Sequence, residues 1–246
     1  MTVDISLSAG KAILVFKAIC DFGRPCTVTE VVDVVGYPRT VTVRMLGTLE
    51  HHSLVERDAP SGRYSVSPMM LHYVHKALAS NPVLSRVELI LREIVDRTQD
   101  TALFMIRSGR QALVINRIEG SAPVRVLASE VGMELPLHCG GAPLTMLAYS
   151  SAEDIDAYLA GPLEKRTQKT VTDPAAIRAR IAEVRAAGFS VGDQDMFDYV
   201  VGVGAPIFDS HGALAGAVSV GNITQRYTPE RVQEVGRILS DTIAKF

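Results

Sequence analysis

Apolar residues recur at helical spacing over the first hundred residues and at every second position over much of the remainder. From Leu7 to Asp21 the apolar positions Leu7, Ile13, Leu14, Phe16 and Ile19 predict a helix burying roughly one face, ended by Gly23 and Pro25. Thr27-Val28-Thr29-Glu30 then reads as a capping box, in which the threonine hydroxyl and the glutamate carboxylate satisfy each other's backbone donors. It predicts a short helix through Val35 and a tight turn at Gly36-Tyr37. Pro38 suits the first position of the next helix, where no backbone donor is missed. That helix carries Val41, Met45, Leu46 and Leu49 on one side and Arg39, Thr40, Thr42 and Arg44 on the other. Leu54 to Arg57 and Arg63 to Val66, joined through Pro60-Ser61-Gly62, predict a hairpin.

Pro68 opens a further helix with Leu71, Val74 and Leu78 in register, and Asn81-Pro82 breaks it. Val83, Val87, Ile90 and Ile94 continue the helical period in the next one. Ala102 to Ile106 and Ala112 to Ile118 then predict a hairpin around Ser108-Gly109, with a third strand at Val124 to Leu127. Helices are predicted next at Ala142 to Tyr149, from Ser151, and from Asp173-Pro174 to a C-cap at Gly188. Phe189 to Val191 reads as a strand, Val200 to Phe208 and Ala213 to Val220 as a second hairpin, and Thr228-Pro229-Glu230 as the cap of a last helix through Ile243. The predicted class is α+β, an antiparallel sheet flanked by helices behind an N-terminal helical module. The expected domains are 1–67, a linker helix at 68–82, and 83–246.

Two short helices around a glycine-containing turn, the second polar at its N-terminal end, with a hairpin after them, form the pattern of a winged helix-turn-helix. Arg39, Thr40, Thr42 and Arg44 are then expected in the major groove of double-stranded operator DNA, with Arg57 and Arg63 on the wing near phosphates. The net charge of −2 does not advertise a nucleic-acid binder. Placement counts for more: between Pro38 and Leu49 there are two arginines and no acid. The rival reading is a sensor module whose winged helix docks a protein instead.

A hydrophobic share of 47% supports a packed core, and no apolar run approaches the ~20 residues of a membrane helix. Cys20, Cys26 and Cys139 lack paired spacing, which fits a reduced cytoplasm, and Met1-Thr2-Val3-Asp4 carries no leader signature. Catalytic signals are poor. His138 and Cys139 are adjacent, and neighbours on an extended chain point to opposite faces. His72 and His75 have no third ligand nearby, and Gly202-Val203-Gly204 lacks the third glycine of a dinucleotide loop. No enzyme, metal or cofactor is expected.

The order of elements, with Gly36-Tyr37-Pro38-Arg39-Thr40, Arg44-Met45-Leu46 and Thr48-Leu49-Glu50, resembles the IclR family of bacterial transcriptional regulators. Pro136-Leu137-His138, Leu147-Ala148, Gly188-Phe189, Ala205-Pro206, Asp209, Gly212 and Ala217-Val218-Ser219-Val220 extend the resemblance to the second half. It covers the chain from about Leu7 to Ile243. The resemblance implies a winged-helix DNA-binding domain, a dimerising linker helix, and a GAF-like effector domain assembled as a homodimer or a dimer of dimers. It implies effectors that are small organic or aromatic acids, bound where Val126, Gly140, Gly141, Gly202 and Ser219 face a pocket with Asp193 near its edge. Many relatives have cysteine at the position of Gly202, serine at that of Gly221, and an acidic pair just before Gln194-Asp195, where Gly192 interrupts. These departures imply a roomier, less polar pocket.

Overall fold

The computed structural model describes residues 6–80, 82–124, 126 and 128–246, with the side chains of 78–85 outside that description. The chain divides into two compact units, Met1–Ser80 and Asn81–Phe246.

The first unit holds helices α1 (Leu7–Phe22), α2 (Val28–Val35) and α3 (Arg39–His51), a hairpin of β1 (Val55–Arg57) and β2 (Tyr64–Val66), and α4 (Met69–Ser80). Local chemistry fixes the ends. Ser6 caps α1 by accepting from the Ala9 N–H, and Gly23 closes it in the left-handed conformation. The Thr27 and Glu30 side chains complete the capping box on α2, and Gly36 terminates it with φ +70°. Pro38 lies just before α3 as its cap residue, its carbonyl accepting from Val41 and Thr42.

Val15, Ile19, Cys26, Val31, Met45, Leu46, Leu49, Val55 and Tyr64 form the core of this unit. The face that α1 buries differs from the expected one. Val15, Ala18 and Ile19 point inward, while Leu7, Ile13 and Leu14 are exposed. The contact with α2 and α3 selects the 15-18-19 spacing over the longer apolar stripe.

The second unit is built on a six-stranded antiparallel sheet in the order β5-β4-β3-β8-β7-β6. Its strands are β3 (Ala102–Ser108), β4 (Gln111–Ile118), β5 (Glu134–Pro136), β6 (Ser190–Asp193), β7 (Val200–Phe208) and β8 (Leu214–Ile223). The strand that follows the β3–β4 hairpin in the sheet is at 134–136, paired with β4. Val124 and Val126 lie in neither strand nor helix, and residues 125 and 127 fall outside the described set. Helices α5 (Pro82–Thr98) and α9 (Pro229–Ile243) pack on one face through Ile90, Ile94, Phe104, Val203, Val218, Val220 and Leu239. On the other lie α6 (Gly141–Ala148), α7 (Ala152–Leu159) and α8 (Pro174–Ala187), packed with Met105, Ala112, Val114, Leu137 and Ala217.

The period of two along each strand sorts the side chains. Along β8, Val218 and Val220 face α5 and α9, leaving Ala217, Ser219 and Gly221 toward α6. Along β7, Val201, Val203 and Ala205 face the α5–α9 side and Gly202 and Gly204 face α6.

Candidate functional site

In the first unit, α3 presents its outer face as Thr40, Val43, Arg44 and Gly47, all exposed. Arg44 and Thr40 have no side-chain partner among the described residues. Arg39 is also exposed and donates to the Thr29 hydroxyl at 3.1 Å. Thr42 corrects the sequence reading. It is fully buried, and its hydroxyl donates back to the Pro38 carbonyl at 3.3 Å. Its position three and four residues before Met45 and Leu46 puts it on the core side, where no base edge can reach.

On the hairpin, Arg57 is exposed with its guanidinium 5.8 Å from the Tyr64 ring centroid. Arg63 folds back against the body of the domain, donating to the Pro25 carbonyl at 3.3 Å and lying 3.8 Å from Glu30. The Glu30 carboxylate also accepts from the Thr27 N–H at 2.7 Å and pairs with Arg24 at 2.8 Å. Those contacts, the Thr27 backbone bond foremost, hold its pKa down at about 2.

In the second unit a cavity opens between the N-terminus of α6 and the sheet. Its empty volume, with the solvent-filled mouth included, is about 610 Å3. Val126, Gly140, Gly141, Gly202 and Ser219 all line it, with Thr101, Leu103, Met105, Pro143, Met196, Phe197 and Gly221. Among the described lining residues none is charged, and the polar side chains are the hydroxyls of Thr101, Ser129 and Ser219.

Asp193 is not part of this wall. Strand alternation turns Gly192 inward and Asp193 outward, where it pairs with Lys169 at 3.0 Å. The carboxylate that matters to the site is Asp195, buried just behind it. One oxygen accepts the Gly140 N–H at 2.9 Å, and the other takes Arg180 at 2.8 Å. Gly140 therefore offers the cavity no free donor.

Gly141 does offer one. Its carbonyl accepts from the Ser190 hydroxyl at 2.6 Å, which is itself bonded to Thr145, while its N–H has no acceptor among the described residues. Orphan donors of this kind are intrinsic to the first turn of a helix. Beside it, Ser219 is only 8% exposed, and its hydroxyl has no hydrogen-bond partner among the described residues. The seat of α6 requires glycine at two points. A Cβ on Gly141 would lie 2.9 Å from the Gly204 nitrogen, and one on Gly204 would press on the backbone of Gly141 and Ala142. At Gly202 a Cβ would meet nothing nearer than 3.5 Å, so the wall there has room.

Neighbouring reactive groups are spoken for. His138 is fully buried, its Nδ1 2.8 Å from the Tyr158 hydroxyl and its Nε2 3.0 Å from the Glu164 carbonyl. Burial pushes its pKa down. Cys139 faces Met196, and burial pushes its thiol up to about 12, which leaves no thiolate nucleophile at neutral pH. Among the described residues, no three His, Cys, Asp or Glu side chains gather as a metal site, and no helix is long and apolar enough to cross a membrane.

Sequence reasoning did not single out the exposed Val43 of α3, nor Asp195 and Ser190 behind the cavity wall. Val43 sits at recognition-helix spacing from Thr40 and Gly47 and was legible in principle. The Asp195 and Ser190 bonds join residues 55 and 49 positions apart, and no local pattern signals them.

Residues 8–59 match the IclR helix-turn-helix domain, and residues 75–245 match the bacterial transcriptional regulator IclR C-terminal domain. The chain is 27% identical over 212 residues to the HTH-type transcriptional regulator KipR of Bacillus subtilis, covering 84% of this chain and 82% of that one. An IclR transcriptional regulator from Silicibacter sp. TM1040 superposes with a TM-score of 0.80 at 28% identity, over 97% of this chain and 94% of that one. An IclR homologue from Microbacterium hydrocarbonoxydans, solved in complex with 4-hydroxybenzoate, shares the fold with a TM-score of 0.78 at 20% identity, over 97% and 98%. With a winged helix-turn-helix in one unit, a walled cavity in the other, and family matches across both, this chain belongs to the IclR family of bacterial transcriptional regulators.

Proposed function

We propose that this regulator controls an operon for the breakdown of small organic or aromatic acids and takes such an acid as its effector in the cavity at the start of α6. The observation that carries the reading is the pairing of the unpartnered Ser219 hydroxyl with the free Gly141 N–H. Two donors converging at a helix N-terminus suit a carboxylate, and the positive end of the helix dipole favours its charge. The apolar walls of Leu103, Met105, Met196 and Phe197 suit a ring or branched chain, and the room beside Gly202 admits more than a two-carbon acid. The related structure solved with 4-hydroxybenzoate supports the aromatic option.

In this reading the protein is a cytoplasmic repressor. Arg39, Thr40 and Arg44 enter the major groove of a pseudo-palindromic operator, with Arg57 near the phosphates. Helix α4 serves as a linker that also joins two subunits. The effector acts by binding one arrangement of the DNA-binding domains more tightly than the other. Thermal-shift titration of the full chain with 4-hydroxybenzoate, benzoate and glyoxylate tests the effector class. Stabilisation by the aromatic acids and not by glyoxylate is expected. Stabilisation by glyoxylate alone, or by none of the three, would count against it.

A further inference from the structure

The exposed strip of α3 has one apolar side chain, Val43. At about 100° per residue, Thr40, Val43, Arg44 and Gly47 share one strip of α3, and this strip is the side turned from the core. Val43 sits in it 45% exposed and takes no part in the core of the first unit, whereas Thr42 beside it is buried. Gly47 comes one turn later with open space where a side chain would be, so the helix can approach a surface closely around Val43. A helix-turn-helix places the N-terminal half of its second helix against base edges in the major groove. A valine there cannot replace the water it displaces from a base donor or acceptor, so it penalises guanine, cytosine and adenine edges. The 5-methyl group of thymine is the one apolar feature the groove offers it. Valine is also held near a single χ1 rotamer in a helix, so little freedom is lost on contact.

We propose that Val43 is a specificity-determining residue that reads the 5-methyl group of one thymine in each operator half-site. The inference rests on the DNA-binding reading of this unit, and the test separates the two. Duplexes are selected from a random pool with the full-length protein, and each thymine of the selected site is then replaced singly by deoxyuracil, which removes only the methyl group. One thymine per half-site is expected to lose about fourfold in affinity when demethylated, the effect of a single buried methyl. Val43→Ala, which is exposed and keeps a helix-favouring residue, should melt like the parent and bind the thymine and deoxyuracil duplexes equally. Deoxyuracil tolerated at every position by the parent, or a penalty that persists in Val43→Ala, would overturn the assignment while leaving DNA binding intact. Failure to enrich any duplex would remove the DNA-binding reading and this assignment together.

Discussion

Asp195 holds Gly140 from behind the cavity wall, its carboxylate accepting the glycine N–H at 2.9 Å while Arg180 of α8 anchors its other oxygen at 2.8 Å. The turn that starts α6 is thereby fixed by a buried acid rather than by packing alone. Gly140 keeps its positive φ of +76° because this bond and the neighbouring Ser190–Gly141 bond define the path.

Removing that carboxylate is expected to cost stability and ligand affinity together. Asp195→Ala leaves Arg180 partly buried without its partner, a loss on the order of 3 kcal/mol. Asp195→Asn retains an acceptor for Gly140 and should recover most of the ligand affinity but not the ion pair. Melting and calorimetry on both variants check this, and parental values for Asp195→Ala would refute it.

Filling the wall at position 202 should abolish effector binding while sparing the operator. The Cβ of Gly202→Val fits without collision, and its two methyl groups then occupy the cavity beside Gly141. Ser219→Ala should weaken binding by about 0.5–1.5 kcal/mol through one lost hydrogen bond. Ligand titration beside an operator-binding assay reads both effects, and unaltered ligand affinity in Gly202→Val would place the effector elsewhere.

The α4 helix leaves Leu71 72% and Val74 49% exposed on a single chain, a burial deficit that a second subunit would remedy. Leu78, the third residue of the expected stripe, lies outside the described side chains. Leu71→Asp combined with Val74→Asp should shift the protein toward monomers in sedimentation at micromolar concentration. An unchanged oligomer would move the subunit contact off this helix.

His138 makes stability depend on pH in a definite direction. Burial favours its neutral form, in which Nε2 donates to the Glu164 carbonyl and Nδ1 accepts from Tyr158. Its folded pKa is lowered, so the unfolded chain takes up the proton first. The contribution is complete above the ordinary value of 6.5 and declines as pH falls below it, until the folded histidine titrates as well. Between pH 7 and pH 5 the melting temperature of the parent should fall more than that of His138→Gln. Parallel profiles would exclude this residue as the cause.

Element boundaries were readable where a cap or a breaker marks them. Thr27 and Glu30 announce α2, Asp173 and Gly188 bracket α8, and Thr228 opens α9 where its hydroxyl accepts the Arg231 N–H. The strand expected at Val124 to Leu127 falls partly outside the described residues; Val124 and Val126 are in no strand, and β4 pairs with 134–136. Thr42 looked like a base reader because it is polar. Its spacing from Met45, Leu46 and Leu49 outranks its polarity, and the backbone supplies the bonds its hydroxyl needs. Asp193 failed for the analogous reason on a strand, where alternation sends it outward. The family resemblance located the cavity wall. The tertiary bonds that stiffen it, Asp195 to Gly140 and Ser190 to Gly141, lie beyond any local pattern.

Four glycines in and behind the wall, Gly141, Gly192, Gly202 and Gly204, differ in what evolution can do with them. Gly141 and Gly204 are pinned by main chain on the facing element, and at Gly192 a new methyl would sit 2.5 Å from the Gly140 Cα. No change at those three is accepted without moving backbone. Gly202 alone among these four can gain a side chain with its surroundings still in place. Among these four glycines, position 202 is therefore the one at which a single codon change can reshape the ligand space while the backbone around α6 stays where it is.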